Sequence, residues 1–499
     1  MLQSHQQSWS IFESKDFGKF AIEYAAGKDI ILDKNLIIYE IKVDKAHTVM
    51  LLKQGIISKK VAQDILKALV KLEKLHQEGK WEMKKELEDV HSNVENFLEQ
   101  ETGVEVSGYL RLGIARNDQI YTDTRMYMKD KILGIAFGLL EIIKIFANEA
   151  KKHTKTIMPG YTHLRLSQPI TYGFWLLGKA YHFLDDLNDL LYTFSKIDRS
   201  SLGVVQMAGT HLPIDRKFTS ELLGFSSIAV HAQYIAQQRG ELETNVLANF
   251  STIGMHIRRI MNEYIIFSGY EFGMMEIDDL YATGGTGQPN LKNPDTLEIV
   301  RANCPTFYSK LMQLFMIMDM LPSGNNRDAQ QTKPILFDSV TELEAMLPIF
   351  AGIIESTQIY EKRMKELAEL NYGIAPDFCM ELAVKGKVSF REIYKVVKYL
   401  IKVQQIPLDK LTSKNILETS QELLKKEIHI DQKDIDTFSN VEHVVLNRNS
   451  LGGTSDTQCE QMLDDVSAQA QSLQKILSQK QTFQTEADKK LESEIQKII

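Results

Sequence analysis

The sequence predicts an all-α protein built around a bundle of long helices. Apolar residues recur at helical spacing, as in the stripe that includes Ile65, Leu69 and Leu72, and strand-like alternation is scarce. The chain has only 11 prolines, and the stretches 123–156 and 170–198 contain none, which allows helices longer than the globular average. Long apolar helices without breakers favour a helix bundle.

Composition excludes one large class of partners. The chain has 499 residues, of which 43% are hydrophobic, enough for about three domains with a large core. Its formal net charge is −8, from 66 acidic and 58 basic residues. Because no basic excess is present to neutralise a phosphate backbone, we expect no nucleic-acid partner.

The sequence predicts no membrane segment and an intracellular location. The apolar run 132–140 stops at Glu141 and is too short to span a bilayer. The polar start, MLQSHQQSWS, lacks the order of a signal peptide. Three distant cysteines, Cys304, Cys379 and Cys459, leave at least one unpaired, which fits a reducing compartment. We therefore expect a soluble, cytoplasmic protein.

Composition changes near 108–113 and near 370–376 divide the chain into three segments. They predict an N-terminal helical domain (1–112), a central long-helix bundle (113–370) and a C-terminal helical domain (371–499). Within the last, the stretch 479–499 is strongly polar, and we expect a solvated helix or a frayed tail there.

Some central helices are apolar on more than one face. The segments 253–269 and 311–321 are rich in Met, Ile and Phe on more than one face. Since a helix of this kind must be buried, other copies of the chain are expected to cover it, with the central bundle as the core of a homotetramer.

Four polar segments interrupt the apolar periodicity. They are "EDVHSNVE" around His91, "GIARNDQ" at 113–119, "MPGYTHLRLSQP" at 158–169 and "GGTGQPNLKNPD" at 284–295. Each combines a turn former with hydrogen-bond donors, and Thr162 and His163 are expected on a loop or at a helix start. A single histidine is more often structural than functional, but the four segments together point to a site.

The glycine-rich loop 284–295 is suited to holding an anion. Its backbone N–H groups can point inward, and Lys292 and Asn293 add side-chain donors. An ordinary connector is the alternative, because the spacing is not that of a phosphate-binding loop.

One histidine and three aspartates have a spacing that could suit a metal ion. His182, Asp185, Asp186 and Asp189 are spaced so that several share one helix face. A solvated face explains the spacing as well, and no coordination motif surrounds it. We expect neither a metal ion nor a cofactor.

Taken together, the polar segments resemble the argininosuccinate lyase branch of the fumarase and aspartase superfamily. "RNDQIYTDTR", "MPGYTHLRLSQP" and "MAGTHLPIDR" look like three blocks of that family, and "VSFREIYKVV" and "NSLGGTSDTQ" look like its C-terminal domain. The five blocks occur in the family order over more than three hundred residues. The loop 284–295 then aligns with the superfamily signature loop.

The resemblance implies an enzyme that cleaves a C–N bond of a succinyl adduct and releases fumarate, through a dianionic intermediate that requires cations and donors around one carboxylate. It implies a small-molecule substrate that contains a dicarboxylate, and a site shared among subunits. By alignment, His163 and Thr286 are the catalytic candidates. The substrate-binding candidates are Asp29, His91, Arg116, Asn117, Thr162, Lys292, Asn293, Asn325, Gln330 and Lys333.

The chain also departs from the family pattern. Gly285 stands where the family has its catalytic serine, and Leu291 stands where it has the partner lysine. Asn325 replaces a substrate-contacting tyrosine, and Asp29 aligns with a substrate-binding serine. The stretch "LRLGIARND" before and at Arg116 differs from the family's Leu-His-Thr-Gly-Arg-Ser-Arg-Asn-Asp.

Two functions remain open from the sequence. One is an active C–N lyase with an altered substrate or base, favoured by the retained Asn117, Thr162, His163 and Lys333. The other is a catalytically inactive homologue with a structural, ligand-binding or regulatory role, favoured by the altered signature loop.

Overall fold

The computed structural model describes residues 23–499. The α-helices are α1 (Asp29–Leu32), α2 (Ile37–Lys53), α3 (Lys59–Gln77), α4 (Val90–Thr102), α5 (Val104–Ser107), α6 (Arg116–Lys152), α7 (Tyr172–Ile197), α8 (Arg216–Leu222), α9 (Ala232–Gln237), α10 (Glu241–Ser268), α11 (Asp295–Met318), α12 (Thr332–Ser356), α13 (Glu361–Glu369), α14 (Ala375–Lys385), α15 (Phe390–Lys402), α16 (Ser413–Leu424), α17 (Gln432–Phe438), α18 (Val441–Leu446) and α19 (Asp456–Ile498).

Each strand is two residues long, and the strand pairs only connect loop segments by backbone hydrogen bonds. They are β1 (Ile157–Met158), β2 (Tyr161–Thr162), β3 (Arg165–Leu166), β4 (Ile170–Thr171), β5 (Arg199–Ser200), β6 (Ser227–Ile228), β7 (Met275–Glu276), β8 (Thr283–Gly284), β9 (Lys292–Asn293) and β10 (Gln358–Ile359). Four pairs are antiparallel, and β5 with β6 is parallel.

The long helices α6, α7, α10, α11 and α12 form the central bundle, so the predicted all-α fold is confirmed. Phe146, Phe183 and Phe350 meet in its core with ring centroids 5.6 to 6.1 Å apart. Separate hydrophobic clusters lie within 37–110 and 374–444. The domain boundaries at 112 and 370 stay a prediction. Within residues 23–499, no helix is both long and apolar enough to cross a membrane.

Helices α10 and α11 run antiparallel, which gives the bundle two distinct ends. Gly240, just before α10, packs so closely on Met318 at the end of α11 that a Cβ there would collide with it. Beyond the other end of α10, Tyr270 Oη donates a hydrogen bond to the carbonyl oxygen of Asn290 at 3.2 Å. The 28 residues of α10 separate these ends by about 42 Å.

The last helix, α19, has 43 residues and returns along the bundle to the N-terminal helices. Leu491 and Ile495 are buried near its end, and Gln63 donates a hydrogen bond to the carbonyl oxygen of Ile498 at 2.7 Å. The expectation of a solvated or frayed segment at 479–499 is therefore wrong for one face of the helix. Its buried stripe is narrow, so polar residues dominate its composition.

Candidate active site

His163, in the third polar segment, lies at the tip of a hairpin. Strands β2 and β3 pair with only His163 and Leu164 between them, and both of these residues have positive φ, 55° and 54°. Such a turn usually contains Asn or Gly, so the backbone of His163 and Leu164 is strained there. The turn leaves Thr162 and His163 exposed. At the base of the hairpin, the Tyr161 ring stacks on Phe267 at 5.8 Å.

The signature loop lies at the same end of the bundle, between β8 and β9. Thr286 is exposed on it. Gly285 does not have a left-handed φ, but a Cβ there would lie 2.9 Å from the carbonyl oxygen of Gln288. The backbone N–H of Leu291 donates to that same oxygen at 3.2 Å. A close approach within the loop, and not an unusual backbone angle, is what suits glycine to this position.

Lys292 is already paired in the isolated chain. Its Nζ lies 3.0 Å from Glu276 and 2.7 Å from Asp279. The hydrogen bond with Asp279 raises the pKa of Lys292. Asn293 is part of β9 and pairs with Thr283. The loop therefore carries one positive side chain, Lys292, but two carboxylates already pair with it.

The first turn of α6 contributes to the opposite end of the bundle. Asn117 accepts a hydrogen bond from Asn325 Nδ2 at 3.3 Å, and the Tyr121 hydroxyl donates to Asn325 Oδ1 at 2.9 Å. Asp118 anchors this turn by accepting from three backbone N–H groups, those of Ala115, Gly203 and Val205, at 2.8 to 2.9 Å. Burial raises the pKa of Asp118 to about 7.

Arg116 and Gln330 flank this cluster. Arg116 lies 3.4 Å from Asp89 and 4.0 Å from Glu95. Gln330 donates a hydrogen bond to the carbonyl oxygen of Ala25 at 2.8 Å.

Lys333 is buried between two carboxylates. Its Nζ lies 2.9 Å from Asp29 and 2.7 Å from Asp33. Burial alone would lower the pKa of Lys333, but the two carboxylates outweigh it and raise that pKa. Burial raises the pKa of Asp29, against the opposing effect of Lys333. Asp29, Asp33 and Lys333 thus form one closed ionic group.

His91 lies deeper, in a buried polar cluster on α2, α4 and α6. Its Nδ1 is 2.9 Å from Glu40 Oε1, and that oxygen accepts a hydrogen bond from Gln119 Nε2 at 2.8 Å. Neighbouring carboxylates outweigh the effect of burial and raise the pKa of His91. Burial, followed by the charge of Glu40, raises the pKa of Asp123.

The candidate residues therefore form two groups about 42 Å apart along α10. The group near the end of α10, the "loop end", is Thr162, His163, Thr286, Lys292 and Asn293. The group near its start, the "amide end", is Asp29, His91, Arg116, Asn117, Asn325, Gln330 and Lys333. One chain does not bring the two groups together.

Sequence reasoning missed Asp33, Glu40 and Asp123. Each is a carboxylate on a buried helix position, 1% exposed or less. A charged residue inside an apolar helical stripe is the signal that could have revealed them.

Among the described residues, His182, Asp185, Asp186 and Asp189 do not converge on one point. Asp186 Oδ2 accepts a hydrogen bond from His256 Nδ1 at 2.7 Å, and the His182 ring stacks on His256 with ring centroids 4.5 Å apart. Asp185 and Asp189 are exposed.

Three comparisons relate the chain to known proteins. A family model described as "Lyase" matches residues 18–306. Argininosuccinate lyase of Bacillus mycoides (strain KBAB4) is 34% identical over 454 residues, which is 90% of this chain and 96% of that protein. Argininosuccinate lyase of Bacillus velezensis is 34% identical over 440 residues, 88% of this chain and 94% of that protein.

Solved structures show the same fold. An EDDS lyase variant with bound fumarate matches with a TM-score of 0.84 and 21% identity, over 96% of this chain and 95% of its own. A class II fumarase from Schistosoma mansoni matches with a TM-score of 0.66 and 15% identity, over 83% of this chain and 91% of its own.

Proposed function

The chain belongs to the argininosuccinate lyase family of carbon–nitrogen lyases, within the fumarase and aspartase superfamily, and we propose that it eliminates fumarate from a succinyl adduct of an amine or amidine other than argininosuccinate. The observation that carries the proposal is the retention of family residues at both ends of the bundle. Asn117, Gln330 and Lys333 remain at the amide end, and Thr162 and His163 remain at the loop end.

A complete site requires more than one copy of the chain. The two groups of residues are about 42 Å apart on α10, farther than any succinyl adduct reaches. Helix α11 exposes Ile299, Met312, Phe315 and Met316, with 51% to 73% of each residue accessible in the single chain. An apolar face of this kind fits a homotetramer in which the loop end of one copy meets the amide end of another.

The assembled site has donors for the chemistry but lacks the family base. A base must remove a proton next to a carboxylate, and donors must stabilise the charge that develops there. Lys292, Asn293 and the exposed Thr162 are suited to that carboxylate. Gly285 has no side chain to act as base, and loss of a general base costs about 10²- to 10⁴-fold. Thr286 and His163 are the side chains that remain for proton transfer.

The ionic group around Lys333 favours a changed leaving group. A free lysine would attract a carboxylate on the leaving amine, but Lys333 is held between Asp29 and Asp33. A carboxylate on the leaving group, brought to this place, would meet Asp29 and Asp33 in a buried setting, where like charges repel strongly. An amine without a carboxylate near this position fits better than the arginine part of argininosuccinate.

The test is a panel of succinyl adducts, with fumarate release followed by its ultraviolet absorbance. We expect fumarate from a succinyl amine or amidine that lacks a carboxylate on the leaving group, at a kcat/KM at least tenfold above that for argininosuccinate. Turnover of argininosuccinate at ordinary enzyme rates, about 1 to 10³ per second, would contradict the altered substrate.

A catalytically inactive homologue with a ligand-binding or structural role is the second candidate. The observation that favours it is the loss of both signature residues, Gly285 and Leu291 in place of serine and lysine, on a loop whose Lys292 is shared by Glu276 and Asp279. Calorimetry that detects fumarate binding, together with no turnover of any adduct in the panel, would support this candidate over the first.

A further inference from the structure

Three buried side chains from three different helices point at one another below the amide end. They are Glu40 on α2, His91 on α4 and Asp123 on α6. Each offers one ligand atom, and these atoms all lie within 4.8 Å of one another. Glu40 is 1% exposed, His91 4% and Asp123 0%.

These side chains have unused hydrogen-bonding capacity. Glu40 Oε2, His91 Nδ1 and both carboxylate oxygens of Asp123 are buried and make no hydrogen bond. His91 Nδ1 is 2.9 Å from Glu40 Oε1, close in distance but not aligned as a hydrogen bond. Buried polar atoms are nearly always satisfied, so four unpartnered atoms on three neighbouring side chains indicate a missing partner.

The surrounding donors are committed elsewhere. Gln119 donates to Glu40 Oε1 at 2.8 Å and to Asp44 at 2.9 Å, which leaves Glu40 Oε2 without a donor. Arg111 binds Glu95 and Gln119, at 2.6 to 3.2 Å. The cluster therefore combines two carboxylates with one imidazole, and Asp44 adds a third carboxylate nearby.

We propose that Glu40, His91 and Asp123 bind a divalent metal ion. One nitrogen with two carboxylates is a ligand set suited to Zn²⁺ or Mn²⁺, whereas Mg²⁺ and Ca²⁺ favour oxygen alone. At metal–ligand distances of about 2.0–2.2 Å, ligand atoms lie about 3.3 Å apart in a tetrahedral site. The three ligand atoms already lie within 4.8 Å of one another, so side-chain rotation that draws them together by up to about 1.5 Å would give that spacing.

A shared proton between Glu40 and Asp123 is the competing explanation. One proton would bridge one oxygen of each carboxylate. It would leave the second oxygen of Asp123 unsatisfied, and His91 Nδ1 with only its poorly aligned 2.9 Å contact to Glu40 Oε1. A cation accepts lone pairs from all three residues at once, and this is why the geometry favours it.

Such an ion would have a positioning role. Asp123 follows Asn117 on α6 by less than two helical turns, and His91 lies on the helix that begins beside Asp89 and Arg116. The ion would fix α2, α4 and α6 relative to one another and so hold the first turn of α6 in place. It would not contact the substrate.

The experiment uses the full-length protein, stripped of metal by dialysis against a chelator and then incubated with Zn²⁺, Mn²⁺ or Mg²⁺ at micromolar concentration. We expect one zinc or manganese per chain after desalting, measured by plasma mass spectrometry, a higher Tm with that metal, and no effect of Mg²⁺. Cobalt substitution should give visible absorption bands that His91→Gln weakens.

The variants Asp123→Asn and Glu40→Gln should lower metal content at least tenfold and remove the rise in Tm. The matched control is Asp186→Asn, which alters the other buried aspartate–histidine pair, with His256, and should retain the metal. A parent protein that retains no metal after incubation with Zn²⁺ or Mn²⁺, and whose Tm does not rise, would overturn the proposal. So would unchanged metal content in either cluster variant. If both variants fail to fold, the metal content and cobalt spectrum of the parent decide alone.

Discussion

At the scale of single residues, Gly285 and Leu291 decide how far the signature loop has diverged. We predict that Gly285→Ser with Leu291→Lys creates argininosuccinate cleavage from a near-zero background, while each single change does little, because a base without its oxyanion partner is worth only part of the pair. The gain should be partial. A serine Cβ would sit 2.9 Å from the Gln288 carbonyl oxygen, so the loop must shift by a few tenths of an ångström.

The measurement is fumarate release by the parent, both single variants and the double variant. Asn325 and Asp29 still differ from the family and limit the recovery. A folded double variant that stays silent would show that the amide end, and not only the loop, has diverged.

His47 makes stability depend on pH. It is fully buried on α2, with Nε2 2.9 Å from the Leu112 carbonyl oxygen, and burial, aided by the charge of Arg111, lowers the pKa of His47 to about 4. In the unfolded chain His47 takes up a proton near pH 6.5, whereas in the folded chain it does so only near pH 4. Neutral His47 therefore contributes its full stability above pH 6.5, and that contribution is lost as the pH falls toward 4.

We predict that His47→Gln, which can still donate to Leu112, gains about 3 kcal/mol relative to the parent between pH 7 and pH 4. Urea unfolding at several pH values tests this. His429→Gln is the control, because His429 is exposed. Parallel stability curves for parent and His47→Gln would refute the assignment.

At the scale of elements, α19 binds the two ends of the chain together. Leu491→Ala or Ile495→Ala should each lower the free energy of unfolding by about 2–5 kcal/mol, because each side chain is buried. Glu494→Ala, which removes only the ion pair with Lys497, should change it by less than about 1 kcal/mol. Denaturant unfolding measures both. Equal effects of the three changes would mean that this part of α19 is not docked in solution.

Helices and the hairpin also show what a sequence can reveal. The long helices were predictable because 3.6-residue periodicity is a local signal. The β2–β3 hairpin was not, because its turn is His163–Leu164 and lacks the Asn-Gly signal. The two ends of the hairpin segment pack closely at Gly160, where a Cβ would collide with the carbonyl oxygen of Gln168. Likewise, Lys333 meets Asp33 across 300 residues, a distance that no local pattern covers.

At the scale of the whole molecule, the separation of the two ends predicts complementation between damaged chains. His163→Ala damages the loop end, and Asn117→Ala damages the amide end without unpairing the buried carboxylates that Lys333 neutralises. Each alone should lose activity at least 10²-fold. Equal mixing and reassembly should restore about one quarter of the parental activity, because about one site in four receives both intact ends.

Sedimentation tests whether the mixed species are tetramers. The control is a mixture of His163→Ala with Thr162→Ala, since both changes lie at the loop end. Confirmed hybrids without recovered activity would show that the site is not shared. Recovery in the control would show that the assay does not report shared sites.

The docking of α19 sets the order in which the protein matures during synthesis. Lys45 on α2 is 2% exposed, and one of its partners, Glu492, lies 447 residues later. At about 5–20 residues per second, a ribosome needs roughly 20–90 s to bridge that interval. Throughout that time the nascent N-terminal helices display the surface that Leu491 and Ile495 later cover. We therefore expect chaperones that hold nascent chains to engage α2 and α3, and to release them only after α19 has been synthesised.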